Sequence, residues 1–589
     1  MKGPALQPPR YATVNQALVH AAATTSGLTF VDLRERETPL PYREVLTRAR
    51  RSAATLRATG VVSGDRVAIV LPTSPAFMDA FFGVLLAGAV PVPLYPPVRL
   101  GRLAEYHAAT SRMISAVGAR LVLVNGRTRA FLGETIERAR PSLGWRSAES
   151  LTSGSEEALE VDVDPDALGL IQFSSGSTAD PKPVALSHRQ LMAQLSALRA
   201  LLPPEGRFPQ LGVSWLPLYH DMGLIGCLLL AVYYPGPLVL IPPEHFLARP
   251  ALWPRAISRH RATLSVSPTF GFGVTAKRVR DEDLAGADLS SWQLAVCGAE
   301  PISVRALQAF SRRFAPFGFD PSALRPVYGL AEASLAVTFV APGRTVKTLG
   351  VDPARLAASG EVTEGTRPIV SVGTPVPGCE VEVRGDDGRT VPERRAGRIH
   401  VRGPSVMSGY FQQPEAGARS IVGGWLDTGD LGFVANGELY VCGREKDLVI
   451  IRGANHVPQE FEECLEGLNG VRAGCAVALG FVPEGEDDEQ LLVLAERPTG
   501  AADVDDERTA DLIHRAILER TGVRPHTVRL LDPGALPRTS SGKPRRSEAL
   551  RRFVANGLAP PRRVGPAGLV AELVRSALAF VRGRQGNER

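Results

Sequence analysis

From about residue 165 to 300 the chain keeps one pattern: a short continuous apolar run, a polar turn, a helical stretch, then another apolar run. The runs lie at 168–173, 213–215, 238–241, 263–266 and 294–296. Strands alternating with helices in this way predict an α/β layered sheet. The same alternation appears nearer the start, with an arginine-studded helix over 42–58, a strand at 66–71 and an apolar helix through 76–87. A further helix opens at Ser187, which precedes Gln190 by three residues, the spacing of a capping box. Over 370–442 the character changes to short strands with Gly-Asp and Asn-Gly turns, which predicts a β-rich subdomain. A new α/β pattern follows Arg444 and runs to about 555. Prolines at 560, 561 and 566 then interrupt the chain, and 567–582 reads as one amphipathic helix with a basic end. The expected division is 1–445, 446–555 and a tail of 556–589, without tandem repeats.

At 589 residues there is room for three or four compact units, taking roughly 100–200 residues for each. Hydrophobic residues at 44%, charged residues at 22% and a mean hydropathy of +0.00 exclude a disordered or fibrous chain. The net charge of +6 contains no run of five or six like charges, so nucleic acid is not an expected partner. Six cysteines form no C-x-x-C pair, which predicts buried reduced thiols in a cytoplasmic protein. The opening Met-Lys-Gly-Pro is not that of a secretory leader. The stretch between Asp221 and Glu244 carries no charge and is long enough to suggest a membrane span, but Pro235-Gly236-Pro237 breaks it. A buried helix followed by a buried strand is the expected structure, with no transmembrane segment.

Of 67 basic residues only six are lysines, so each lysine draws notice. Lys182 closes the segment Phe173-Ser174-Ser175-Gly176-Ser177-Thr178-Ala179-Asp180-Pro181-Lys182. Four hydroxyls, a glycine and a lysine between a strand and a helix offer donors and positive charge to a polyphosphate. The spacing is not that of a Walker A loop. Taken alone, the segment reads equally well as a Ser-rich surface turn. Four further segments and a last one follow: Cys297-Gly298-Ala299-Glu300-Pro301, Tyr328-Gly329-Leu330-Ala331-Glu332, Trp425-Leu426-Asp427-Thr428-Gly429-Asp430, Gly443-Arg444-Glu445-Lys446-Asp447 and Thr539-Ser540-Ser541-Gly542-Lys543.

In this order and at these separations, the segments resemble the motif set of the adenylate-forming superfamily, which includes acyl-CoA synthetases, luciferases, peptide-synthetase adenylation domains and fatty acyl-AMP ligases. The resemblance covers about 12 to 555. It implies a large N-terminal domain of two α/β subdomains and a β-rich subdomain, followed by a small mobile α+β domain. It also implies ATP and Mg²⁺ as cofactors. Making an acyl-adenylate brings two anions together, so a cation is needed beside the α-phosphate and a metal ligand beside the leaving pyrophosphate. Lys543, on a Gly-Ser-rich loop, and Glu332 are the candidates. Tyr328 and Gly329 offer an aromatic face and a close backbone approach to the nucleotide. By resemblance, Asp430 binds the ribose hydroxyls with help from Arg444, and Lys446 is the hinge between the two domains. The ATP or AMP site would comprise Ser174, Ser175, Gly176, Ser177, Thr178, Lys182, Gly298, Ala299, Glu300, Pro301, Tyr328, Gly329, Asp430 and Arg444. Glu332 and Thr178 would hold Mg²⁺. His220 is either a third catalytic group or a structural histidine.

Three segments bear on the branch. The run from Ala87 to Pro97, the run Ser214 to Gly226 and the extra sequence at about 341–370 look like those of fatty acyl-AMP ligases. Such an enzyme makes acyl-AMP from a fatty acid and ATP, then passes the acyl group to the phosphopantetheine of a separate acyl carrier protein. The alternatives are an acyl-CoA synthetase and a catalytically silent adenylate-binding relative. Ala179 and Pro183 stand where the family's phosphate loop has glycine, so a stiffer loop is expected, because proline fixes φ and lacks an N–H. Retention of Glu332, Asp430 and Lys543 argues for an active enzyme.

Overall fold

The helix Tyr42–Ala58 buries Val45, Leu46, Ala49, Ala53 and Leu56, spaced three and four apart along one face. Its Arg48 reaches to the next helix, Pro75–Leu86, and holds the buried Asp79 through hydrogen bonds of 2.8 and 2.6 Å. The two helices cross closely at Gly83, where a Cβ would lie 2.5 Å from that of Ser52. Beside them lies a four-stranded parallel sheet ordered Val90–Pro93, Arg66–Val70, Leu121–Val124, Trp145–Ser147. The computed structural model describes all residues except 98–99, 155–161, 175–180, 204–209, 342, 485, 487, 501–505, 540–541, 562–565 and 587–589.

A second sheet has nine strands. In spatial order they are Thr374–Pro375, Ala336–Phe339, Leu324–Gly329, Leu294–Cys297, Leu264–Ser267, Gly212–Ser214, Leu238–Leu240, Gly27–Val31 and Glu37–Pro41. The six from Leu324–Gly329 to Gly27–Val31 run parallel, and antiparallel strands close both edges. The expected strands are present to within a residue or two. The hairpin of Gly27–Val31 and Glu37–Pro41 was not anticipated, and it joins the second sheet although its sequence neighbours build the first.

The charge-free stretch forms a short helix Asp221–Gly223, a π-helical segment Leu224–Leu229 and a helix Leu230–Tyr233, followed by the strand Leu238–Leu240. Among the described residues no helix is long and apolar enough to cross a membrane. The segment after Leu168–Phe173 requires a correction. A strand, Pro183–Ser187, pairs with it antiparallel before the helix His188–Leu201 begins at the expected Ser187/Gln190 capping box. Pro183 therefore starts a strand opposite Phe173, where proline is tolerated, and its carbonyl accepts the Phe411 N–H at 2.8 Å. It does not stiffen the loop from within.

The β-rich region is a five-stranded antiparallel sheet of Glu380–Arg384, Gly397–Arg402, Trp425–Ala435, Ile421–Val422 and Glu438–Arg444. The extra sequence folds as a hairpin, Thr348–Val351 with Arg367–Val370, carrying the helix Pro353–Ser359. Its Val351 and Ile369 share a core with Phe433, Tyr440 and Val457. Beyond, the strands Ala476–Phe481, Gln490–Glu496 and Thr527–Leu531 form a separate sheet with two small cores, packed by the helices Asp506–Thr521 and Arg546–Val554. The last helix, Pro566–Gly586, is longer than the sequence suggested and returns to the helix Gly133–Ala139, where the Gly133 N–H donates to the Ser576 hydroxyl at 2.9 Å. All six cysteines are free and buried.

Candidate active site

Parallel strands gather functional groups at their carboxyl ends. Here Cys297 ends one strand and Gly298, Ala299, Glu300 and Pro301 follow it, while Tyr328 and Gly329 end the neighbouring strand. Gly298 lies so close to the next strand that a Cβ would meet Val327 Cγ2 at 2.6 Å. Ala299 has φ of +67°, a left-handed conformation that costs an alanine energy and marks a strained turn. The Glu300 carboxylate accepts the Phe270 N–H at 2.6 Å. Burial raises its pKa, opposed by that hydrogen bond and by Lys543 and Arg538. The Pro301 carbonyl accepts from Thr269 at 3.3 Å.

Asp430 and Arg444 face each other on adjacent strands. The buried Asp430 carboxylate accepts the Arg444 Nε–H at 2.8 Å on one oxygen and the Tyr328 hydroxyl at 2.8 Å on the other. Burial pushes the Tyr328 hydroxyl well above the usual phenol range, and Asp430 adds to the shift. The negative Asp430 raises the Arg444 pKa against the effect of burial. Tyr328 thus brings its hydroxyl as well as its ring to the site.

Glu332 sits on the one-turn helix Ala331–Ala333 and accepts the Tyr410 hydroxyl at 3.0 Å. The Met407 N–H holds its backbone carbonyl at 2.8 Å. Burial raises the Glu332 pKa, and the Tyr410 hydrogen bond and Arg444 counter it. The Lys182 ammonium lies 4.6 Å above the ring of that same Tyr410, within cation–π range. The Lys182 N–H donates to the Ser174 hydroxyl at 3.3 Å, and the Ser174 N–H donates back to the Lys182 carbonyl at 2.9 Å. Ser175, Gly176, Ser177, Thr178 and Ala179 lie outside the described residues.

Lys543 arrives from the C-terminal unit on a turn closed by the Thr539 N–H to the Lys543 carbonyl at 2.8 Å and by the Lys543 N–H to the Thr539 hydroxyl at 3.0 Å. Burial lowers its pKa and Arg444 lowers it further, while Asp221, Glu300 and Asp430 raise it. These three carboxylates, drawn from three parts of the chain, thus act electrostatically on one ammonium without pairing with it directly. His220 is pushed down to about 3 by burial and by Lys543, so its imidazole is neutral near neutrality. Burial raises the pKa of the adjacent Asp221, and Lys543 opposes the shift. Lys446 lies on the one-turn helix Glu445–Asp447 directly after Arg444, its pKa lowered by burial and by Arg444.

Arginine contacts hold the C-terminal unit in this position. Arg305 donates to the Glu466 carbonyl at 2.7 Å. Arg102 donates to the Gly534 carbonyl at 2.9 Å, and Arg552 pairs with Glu105 at 2.8 Å.

Sequence reasoning missed Tyr410 and Asp221. Tyr410 follows a glycine in a polar stretch where no strand or helix pattern calls for an aromatic core residue, which was its available signal. Asp221 was visible as the last charge before the apolar stretch. Next to Asp221, Ala299, Tyr328 and Gly329 opens an apolar cavity of about 80 Å³ that extends inward to Leu230 and Leu264. The site thus joins a cluster of opposite charges to an apolar cavity.

The sequence pattern of the AMP-binding enzymes matches residues 18–411. A Caulobacter vibrioides protein provisionally named an acyl-CoA synthetase is 37% identical, over 92% of this chain and 96% of its own. A medium-chain fatty acid–[acyl-carrier-protein] ligase, JamA of Moorena producens, is 31% identical over 92% and 94%. A solved chain from a study of the fatty acyl-adenylate ligases of E. coli and L. pneumophila superposes with a TM-score of 0.85 at 34% identity, covering 93% of this chain and 99% of that one. With the Tyr328–Asp430–Arg444 cluster beside an apolar cavity that Tyr328 itself lines, this chain belongs to the adenylate-forming AMP-binding enzymes, on the branch of the fatty acyl-AMP ligases.

Proposed function

We propose that the protein activates a fatty acid with ATP and then hands the acyl group to the phosphopantetheine thiol of a separate acyl carrier protein. The observation that carries this reading is that the half-buried Lys543 lies within electrostatic reach of Asp221, Glu300 and Asp430, of which Asp221 borders the apolar cavity. A fatty acid in that cavity presents its carboxylate where the ammonium stands. One carboxylate oxygen forms a bond to the α-phosphorus, and the bond from that phosphorus to pyrophosphate breaks. Lys543 draws the two anions together and stabilises the charge that builds between them. Asp430, already oriented by Tyr328 and Arg444, accepts from the ribose hydroxyls.

Glu332 would hold Mg²⁺ with a hard carboxylate oxygen beside the loop that ends at Lys182, with Thr178 as the second ligand in this reading, and an ion held there would supply positive charge against the departing pyrophosphate. In the second step the thiol sulfur bonds to the acyl carbon and AMP leaves. Lys543 must withdraw to admit the thiol, and we place the pivot at Lys446, between a unit of residues 1–445 and one of 446–555.

The acyl-CoA synthetase reading has the name of the Caulobacter relative in its favour. Against it stands the 341–370 hairpin, whose core includes Val457 from beyond the pivot and whose Arg367 pairs with Glu463 at 3.4 Å; in this reading a docked carrier protein overcomes these contacts and free coenzyme A does not. Pyrophosphate release with ATP, Mg²⁺ and saturated fatty acids tests the first step. Acyl transfer measured with coenzyme A and carrier proteins in parallel tests the second. Transfer to coenzyme A alone overturns the carrier-protein reading, and the absence of pyrophosphate with every acid overturns the ligase reading.

A further inference from the structure

The last helix, Pro566–Gly586, is docked the wrong way round for a surface helix. Its most covered residues are Leu569, Glu572, Ser576 and Ala579, spaced three and four apart, and Ser576 and Ala579 are buried. That face lies on the helix Gly133–Ala139. The opposite face carries Val570, Leu573, Val574, Ala577 and Leu578, again three and four apart and all exposed, Val570 by 58% and Val574 by 52%. A helix that packed by its amphipathic pattern alone would bury the second set and leave the first in water. Contact with the helix beneath fixes the inverted orientation. The Gly133 N–H donates to the Ser576 hydroxyl, and a Cβ on Gly133 would collide with the Ser576 carbonyl, so only glycine allows the two backbones to come this close. Arg575 and Glu572 pair at 2.7 Å on the flank, outside the apolar stripe.

A contiguous aliphatic stripe held out toward water marks an interaction site. The charges in the sequence around it say what covers it. From 562 to 584 the chain has five arginines, Arg562, Arg563, Arg575, Arg582 and Arg584, and one acidic residue, Glu572. An apolar helical face bracketed by arginines has the make-up of a helix that rests in the headgroup region of an anionic bilayer. Its aliphatic side chains then reach about 5–10 Å into the acyl boundary, and the helix need not cross the membrane. Each arginine near such a surface adds electrostatic attraction. A second copy of the chain fits this face less well. Five side chains fall far short of the roughly 20–30 residues a side that a stable protein interface takes, and a symmetric pair would set one row of arginines against another.

We propose that Val570, Leu573, Val574 and Leu578 form a docking face for an anionic lipid surface, with the helix Gly133–Ala139 as the support that holds them outward. The ligase reading is not needed for this, since binding is measured without ATP or fatty acid. The probes are vesicles of phosphatidylcholine alone and of phosphatidylcholine mixed with phosphatidylglycerol, and the measurement is flotation of the full chain with each. The parent floats with the anionic vesicles, floats less with the neutral ones, and is released from the anionic ones as salt is raised. Val574→Glu combined with Leu578→Glu lowers the partition onto anionic vesicles by on the order of 10²-fold or more, because two aliphatic side chains leave the lipid and two like charges face it. Val574→Ala combined with Leu578→Ala lowers it by roughly tenfold or more. This second, milder pair guards against a variant that fails to fold, and both positions are exposed in the parent. A parent that floats with neither kind of vesicle, binding indifferent to lipid charge, or alanine variants that float as well as the parent overturns the proposal. A parent that sedimentation velocity shows to be a dimer, and that Val574→Glu with Leu578→Glu turns into a monomer, also overturns it, since the face is then covered by a second copy.

Discussion

Tyr410 stands between two charges of opposite sign: its hydroxyl donates to Glu332 at 3.0 Å while its ring lies 4.6 Å beneath the Lys182 ammonium. One phenol thus fixes the carboxylate proposed to bind metal and the cation at the end of the proposed phosphate loop. Tyr410→Phe keeps the ring under Lys182 and removes the hydrogen bond to Glu332. Residues that orient a metal ligand typically contribute about 10–100-fold to affinity or activity. The Phe variant is expected to need about tenfold more Mg²⁺ for half-maximal adenylation, with the affinity for fatty acid retained. Tyr410→Leu loses both contacts and falls further. Equal Mg²⁺ dependence in parent and Tyr410→Phe would show that the hydrogen bond does not serve the metal site.

Lys543→Ala removes the ammonium on which Asp221, Glu300 and Asp430 act electrostatically. Adenylation is expected to fall by on the order of 10²-fold or more, as when a transition-state electrostatic contact is lost, while ATP binding by calorimetry stays close to that of the parent. An adenylation rate within a few-fold of the parent would remove Lys543 from the mechanism.

The 341–370 hairpin cannot be excised cleanly, because Val351 and Ile369 complete a core with Phe433, Tyr440 and Val457. Arg367→Gln cuts only the tie to Glu463 and leaves that core in place. It is expected to raise acyl-CoA formation from its basal level while acyl-AMP formation persists. If this variant and a deletion that still folds and adenylates both make no acyl-CoA, the hairpin is not what excludes coenzyme A.

Acid sensitivity follows from His188, fully buried at the start of its helix, whose Nδ1 accepts the Val14 N–H at 3.2 Å. Burial pushes its pKa down to about 4 from an ordinary 6.5. Between these values the unfolded chain binds the proton and the folded one does not, so this contribution is present at pH 7 and is lost as pH falls from 6.5 toward 4. From pH 6.5 to 5 the loss is about 1.5 kcal/mol. Denaturant titrations at the two pH values should show that much less acid destabilisation in His188→Gln than in the parent. Parallel pH dependence in the two proteins would refute the assignment.

Pro183 and Thr178 separate the loop from its flank. Pro183 opens a strand, so Pro183→Gly is expected to change adenylation by no more than a few-fold, chiefly through added freedom of the unfolded chain. Thr178→Ala removes a phosphate donor and is expected to cost more in pyrophosphate release. The reverse order would mean that the proline, not the hydroxyl, shapes the phosphate site.

The sequence by itself determined the alternating layers, the β-rich interlude and the capped helix at Ser187, because each is written in local periodicity or in a residue type at a fixed spacing, and the resemblance of its motif set singled out Lys543, Glu332, Asp430 and Arg444 as candidates. Only the tertiary structure decided how these groups meet. Tyr328 and Asp430 are 102 residues apart and Tyr410 and Glu332 are 78 apart, yet each pair shares a hydrogen bond. No local pattern carries such a pairing, since it depends on which strands lie side by side once the chain has folded. The same holds for the Gly27–Val31 strand, which extends the sheet that its own flanking sequence does not build, and for Pro183, whose role changed from loop residue to strand opening. The apolar cavity is the clearest case. Leu230, Leu264 and Val266 are ordinary core residues in the sequence, and what makes them its lining is the space that packing leaves beside them.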